Sequence, residues 1–216
     1  RFAESLHLPV VRIQHHMAHA YACMAENRVR EAVAVVYDGT GFGNDGMSWG
    51  GEIFSITEKA ALRERHFSYM PMPGGDACVD HPLRLAASIL YARGIYLPGM
   101  EDVFELIKKE INLFHTSGMG RLFDAASAVL SLCTEQSYEG QAPMMVESAS
   151  APLVNAGSYA AAPFDSGEII EALYRDDAPV PERAARFHNT IIDMTADAVL
   201  LVAGEKDLRH VVLSGG

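Results

Sequence analysis

Between residues 31 and 70 the apolar positions follow the two-residue period of strands. Ala32-Val33-Ala34-Val35-Val36-Tyr37 is an unbroken β-branched run of the kind buried on both faces, Met47 to Ile56 alternates less cleanly, and Ala61 to Tyr69 alternates with charge. Between the first two runs, Asp38 to Gly46 holds four glycines in nine residues and reads as a turn, so a hairpin with an approachable tip is expected. Residues 15–26 contain neither Gly nor Pro and read as a helix leading into the first strand. After a loop over 71–75 the period lengthens. Residues 82–93, 100–112 and 120–132 carry apolar side chains at three- and four-residue spacing, with breaks at Gly94, Pro98-Gly99 and Thr116-Ser117-Gly118. Residues 148–167, rich in Ala and Ser, read either as a link between lobes or as a loose surface loop. A long helix over 181–204 and a buried strand over 208–213 follow, ending in Ser214-Gly215-Gly216.

Composition narrows the class. With 216 residues and 49% hydrophobic content the chain can bury one good core, as one large domain or two small lobes. A net charge of -11 and a pI near 5.2 leave no broad basic surface, which argues against capture of a nucleic-acid backbone. Cys23, Cys78 and Cys133 are far apart, so neither a disulfide framework nor a thiolate zinc site is indicated, and a reducing cytoplasm fits. The longest apolar stretch, residues 198–203, is far too short to span a bilayer. Both ends look cut: there is no initiating Met, and the C-terminus stops as a strand turns.

Two constellations carry chemistry. His15 and His19 are four apart, so on a helix both imidazoles leave one face at a separation suited to one metal ion; His16 offers an alternative partner at three-residue spacing. Asp38, at the end of the strand that this helix feeds, supplies a third donor, and two imidazoles with a carboxylate suit zinc or ferrous iron. The run Asp38-Gly39-Thr40-Gly41-Phe42-Gly43 offers backbone N–H groups, and the Thr40 hydroxyl, to phosphate oxygens. It has neither the Lys of a Walker A loop nor the Glu of an EF-hand. Ser214-Gly215-Gly216 after a buried strand, and Asp124 one turn into a helix opened by Gly118 and Gly120, are weaker signals of a nucleotide site.

The ordered motifs Gln14-His15-His16-Met17-Ala18-His19, Tyr37-Asp38-Gly39-Thr40-Gly41-Phe42-Gly43, Trp49-Gly50-Gly51-Glu52, Pro73-Gly74-Gly75-Asp76, Thr116 to Asp124, Ser137-Tyr138-Glu139-Gly140 and Leu213-Ser214-Gly215-Gly216 span nearly the whole chain. Together they resemble the C-terminal carbamoyltransferase region of the HypF hydrogenase-maturation family, which is related to the tRNA threonylcarbamoyl-transfer proteins and to antibiotic O-carbamoyltransferases. The resemblance implies an α/β actin-like ATPase fold of two ribonuclease-H-like lobes, truncated at both ends. Residues 1–147 would form the first lobe with its metal and phosphate hairpin and a helical insertion, and residues 148–216 the linker and the start of the second. It implies His15 and His19, rather than His16, as metal ligands with Asp38, and a further Asp beyond Gly216. It also implies Asp124 on the ribose, Gly140 against the adenosine, and Gly39, Thr40, Gly41, Gly43, Gly120, Ser214, Gly215 and Gly216 around the nucleotide and its phosphates. In that family a carbamoyl-adenylate made from carbamoyl phosphate and ATP in a separate domain is delivered to this region. The carbamoyl group is then passed to the C-terminal Cys of HypE and becomes, after dehydration, a cyanide ligand of nickel–iron hydrogenase. A small-molecule hydroxyl as acceptor, or a non-catalytic metal- and nucleotide-binding module, are the alternatives; the acidic balance argues against tRNA.

Overall fold

The computed structural model describes Ser5 and residues 9–150 and 156–216. One six-stranded sheet organises them. Helix α1 (His15–Glu26) precedes strands β1 (Ala32–Phe42), β2 (Ser48–Ile56), β3 (Ala61–His66) and β4 (Met70–Pro73). Helices α2 (Ala77–Asp80), α3 (Pro82–Ala92) and α4 (Glu101–Lys108) lead to β5 (Leu113–Thr116). Helices α5 (Met119–Val129), α6 (Gln141–Ser150), α7 (Ser166–Arg175) and α8 (Val180–Lys206) then bring the chain to β6 (Val211–Ser214). The strand order is β4-β5-β2-β1-β6, with β3 also pairing β2. β1 lies antiparallel to β2 and parallel to β6.

The β-branched run of β1 suits an interior strand, between β2 and β6, because its alternate side chains are buried on opposite faces. Val33 and Val35 enter the larger core with Leu85, Leu122, Phe187 and Val202, residues of α3, α5 and α8. Ala32, Ala34 and Val36 enter the smaller core with Ala20 and Met24 of α1, beside Trp49, Phe54 and Val212. The sheet is thus open, with α1 on one face and most of the other helices on the opposite face.

Several boundaries differ from the sequence reading. Residues 38–42 do not form a turn but prolong β1. The pair Tyr37↔Gly51 is followed by Gly41↔Trp49, so β1 makes a four-residue step where β2 makes two, and the chain reverses only over residues 43–47. Glycine permits this bulge as it permits a turn, so composition alone could not separate them. The helix read to residue 112 ends at Lys108, after which Glu110 and Asn112 take positive φ and β5 forms in a segment of only four residues. Residues 70–73, read as part of strand and loop, pair with β5 as β4. Of the Ala/Ser-rich 148–167 stretch, residues 148–150 close α6, residues 166 and 167 open α7, and residues 151–155 lie outside the described residues. Helix α8 packs on β1 and β2, and β6 extends the same sheet.

Phe187 is fully buried in the larger core, with its ring 4.9 Å from that of Phe123. Phe187→Ala is expected to cost about 3–5 kcal/mol, read as a lower urea midpoint in circular dichroism with an unchanged slope.

Candidate metal and nucleotide site

The parallel register of β6 on β1 decides where the site forms. Val36 pairs with Ser214, so Gly215 and Gly216 run on beside Tyr37 and Asp38. A Cβ at Gly215, where φ is +149°, would lie 1.6 Å from the Tyr37 carbonyl oxygen, and one at Gly216 would lie 3.3 Å from Asp38 Oδ1. Two sequence motifs remote in the chain, Tyr37 to Gly43 and Leu213 to Gly216, therefore meet backbone to backbone. Gly118, at the start of α5, is also too close for a side chain: a Cβ there would come within 2.3 Å of the Gly39 carbonyl oxygen.

Helix α1 brings its histidines over the same point. His15 Nε2 lies 3.0 Å from Asp38 Oδ2, His19 Nε2 3.7 Å and His16 Nε2 3.9 Å from that oxygen. Ligand atoms of His15, His16 and Asp38 all fall within 4.8 Å of one another, so distance alone groups His16, and not His19, with His15 and Asp38. Exposure separates them: the side chains of His15 and His19 are 46% and 30% accessible, that of His16 is fully buried. Donor atoms bound to one zinc at about 2.0–2.1 Å in a tetrahedron stand about 3.4 Å apart. The 3.0 and 3.7 Å separations of His15 and His19 from Asp38 bracket that value. The residues present therefore fit a divalent cation.

The rings are held from behind. Gly41 leaves room for them, since a Cβ there would stand 2.5 Å from both His15 Cδ2 and His16 Cε1. Trp49 lies 6.1 Å from His16 between ring centroids, and the Arg63 guanidinium sits 3.8 Å over the Trp49 ring. Arg63 in turn donates to Glu52 and Tyr69. The buried Glu52 carboxylate also accepts from the Gly50 and Gly51 N–H groups and the Ser117 hydroxyl, which ties β2 to the segment before α5.

Beside the histidines a cavity of about 510 Å³ is walled by Asp38, Gly39, Gly120, Gly140 and Gly216, together with Tyr37, Arg121 and Glu139. Five of the residues singled out in the sequence thus share one space. Others have different surroundings. The Gly43 N–H donates to the Met47 carbonyl within the hairpin turn, the Thr40 hydroxyl pairs with that of Ser48 at 2.7 Å, and Ser214 donates to the His19 carbonyl at 3.2 Å. Asp124 is fully buried, below the wall rather than on it. Its carboxylate accepts from Gln136 at 3.2 Å and meets Arg121 Nε at 2.8 Å, out of line for a hydrogen bond but close for opposite charges. Arg121, which lies within the Thr116 to Asp124 motif but was given no role from the sequence, is the cation that borders both this cavity and a neighbouring one of about 340 Å³ lined by Thr40, Asp76 and Glu139. Its i,i+3 spacing from Asp124 was visible, but such pairs are common on exposed helix faces, and only burial marks this one.

Comparison with known proteins agrees with this architecture. Residues 34–216 match the family model described as carbamoyltransferase, Kae1-like domain, second subdomain, and residues 1–26 match the HypF Kae1-like domain. The open sheet flanked by helices is that of the actin-like, HypF-type α/β proteins. The chain belongs to the HypF carbamoyltransferase family. It is 38% identical over 230 residues to carbamoyltransferase HypF of Rhizobium leguminosarum bv. viciae, covering 100% of this chain and 30% of that protein. It superposes with TM-score 0.89 on full-length HypF in a phosphate- and nucleotide-bound form, at 31% identity over 100% of this chain and 37% of that one. The T. kodakarensis HypF structure gives the same TM-score at 26% identity, over 100% of this chain and 32% of its own. The chain therefore spans about a third of the length of these relatives. Among the described residues no helix is long and apolar enough to cross a membrane.

Two outcomes follow. Gly41→Ala is expected to displace both rings and to reduce zinc uptake by about 10-fold or more with little change in circular dichroism, as read by elemental analysis after equilibrium dialysis. Burial pushes the Asp124 carboxyl from 3.8 up to about 6, with Arg121 and Gln136 pulling the other way. A carboxyl that holds its proton more tightly in the fold than in the unfolded chain destabilises the fold as it ionises. Wild-type stability is therefore expected to fall as pH rises through this window, on the order of 3 kcal/mol in total, relative to a flat Asp124→Asn profile in urea melts.

Proposed function

We propose that this chain transfers a carbamoyl group from carbamoyl-adenylate to the C-terminal cysteine thiol of a HypE-like partner, the step that leads to the cyanide ligands of nickel–iron hydrogenase. The observation that carries the reading is the convergence of His15, His19 and Asp38 beside the glycine-walled cavity, in a chain of the HypF family. One relative of 31% identity, full-length HypF, is known in a phosphate- and nucleotide-bound form, which supports a nucleotide among the ligands of the whole protein.

Transfer requires the partner thiolate to attack the carbamoyl carbon, forming the C–S bond as the C–O bond to AMP breaks, with AMP leaving as the phosphate anion and the thiol proton passing to solvent. A zinc or ferrous ion held by His15, His19 and Asp38 would supply Lewis-acid stabilisation of the charge that develops on the leaving phosphate. The chain's own residues bind and orient. Gly39, Gly120, Gly140 and Gly216 let the nucleotide approach the backbone, and Arg121 places a fixed cation in the wall, its guanidinium held by Asp124. The described cysteines suit no nucleophilic role. Cys78 and Cys133 are buried, and burial pushes the Cys78 thiol up to about 11 and raises that of Cys133, while the half-buried Cys23 thiol faces the Leu213 carbonyl at 3.6 Å. An acceptor thiol from a partner is consistent with that inventory.

In the intact protein, supplied with carbamoyl phosphate, ATP and a HypE-like partner, His15→Ala and His19→Ala are each expected to reduce carbamoylation of the partner cysteine by about 100-fold or more, measured by mass spectrometry. Transfer at full rate by the doubly substituted protein would show that the histidines do not serve this reaction, and a carbamoyl mass on a small-molecule hydroxyl alone would reassign the acceptor.

A further inference from the structure

His16 is the one histidine of the cluster whose protonation state the surrounding hydrogen bonds dictate. Gln14 caps helix α1: its Oε1 accepts from the Met17 N–H at 3.0 Å, which fixes which way the side-chain amide faces. The amide nitrogen then donates to the Phe42 carbonyl at 3.0 Å and approaches His16 Nδ1 at 3.1 Å. All three contacts agree with one amide orientation, and reversing it would set two oxygens against each other at Phe42. His16 Nδ1 is therefore an acceptor, and in the neutral ring the proton sits on Nε2.

His16 Nε2 is fully buried and has no hydrogen-bond partner, yet it lies 3.9 Å from Asp38 Oδ2. An N–H enclosed in this way costs stability until it finds an acceptor. We propose that His16 is a positioning residue whose Nε2–H, set by Gln14, donates to Asp38 and fixes the carboxylate for cation binding. The inference rests on the metal reading given above and sharpens it. In the structure His15 Nε2 shares a proton with Asp38 at 3.0 Å, but a cation held by His15 and His19 takes their Nε2 lone pairs. His16 is then the ring of the three that still carries a proton on the nitrogen near Asp38. Closing from 3.9 Å to hydrogen-bond range needs a shift of about 1 Å. The same argument chooses between the two candidate ligand sets: a ring protonated on Nε2 cannot bind a cation there, so the third donor is His19 and not His16.

The test uses the intact protein with ring-15N histidine, read by long-range proton–nitrogen correlation, and His16 is assigned by the signal that His16→Gln removes. A protonated Nε2 and bare Nδ1 at His16, unchanged when zinc shifts His15 and His19, support the proposal. Zinc affinity is expected to fall about 10-fold in His16→Phe and to recover in His16→Gln, whose amide can still donate. Gln14→Glu, which demands a proton on Nδ1 instead, is expected to invert the tautomer and weaken zinc as His16→Phe does. A proton on Nδ1 of the wild type, zinc bound at His16, or equal losses in His16→Gln and His16→Phe would overturn it, the last by reducing His16 to packing. Zinc that shifts none of the rings would instead overturn the metal reading, while a protonated Nε2 would still support the Gln14–His16 lock.

Discussion

Close contact of backbones around the bulge at residues 38–41 is the constraint on which the rest of this structure depends. Three segments converge there: β1 itself, the β6 terminus and the entry to α5. Where they touch, the positions lack a Cβ because any Cβ would fall at 2.3 Å or less from a neighbouring carbonyl oxygen at Gly118 and Gly215. Removing side chains from the contact leaves backbone amides and the Asp38 carboxylate as the chemistry of the surface. Helix α1 then lays its histidines over that carboxylate, and the Gly41 position accommodates two rings that no other residue would admit. The cavity and the histidine cluster are consequently two sides of one strand irregularity.

Electrostatics supports the same point from a distance. The chain is acidic overall, yet the buried carboxylates near the site stand among partners: Glu52 among two backbone N–H donors, a hydroxyl and Arg63, and Asp124 beside Arg121 and Gln136. An enclosed carboxylate costs desolvation that only a full set of partners offsets; Glu52 has that set, whereas at Asp124 burial outweighs the partners. The arrangement fixes where Arg63 and Arg121 stand, one bracing Trp49 and the other bordering the cavity.

What the sequence made legible follows from signal length. The apolar run of β1 and the Gly- and Pro-free stretch of α1 are long enough for their periods to dominate, and the structure has both. β5 has only four residues, and α7 follows an Ala/Ser-rich stretch whose small side chains carry little periodic contrast, so neither stood out. The misreading of residues 38–42 has a different origin. Glycine signals freedom in a turn and lack of volume at a close approach, and the second use depends on neighbours remote in the chain. The candidate site divides in the same way. His15, Asp38 and a second histidine could be named from spacing, with His19 preferred to His16 by the resemblance, whereas Arg121 is marked by its burial and Gln14 by a contact to Phe42 that no local pattern encodes.

Trp49 gives this arrangement an optical handle. It is the chain's sole tryptophan, it is almost wholly buried, and its indole N–H donates to Asp45 at 2.9 Å while Arg63 covers one side of the ring and His16 stands beside it. Indole emission responds to nearby charge and to the tilt of neighbouring rings. The fluorescence of this single residue therefore reads the state of the histidine cluster directly, without any label, from inside the smaller core.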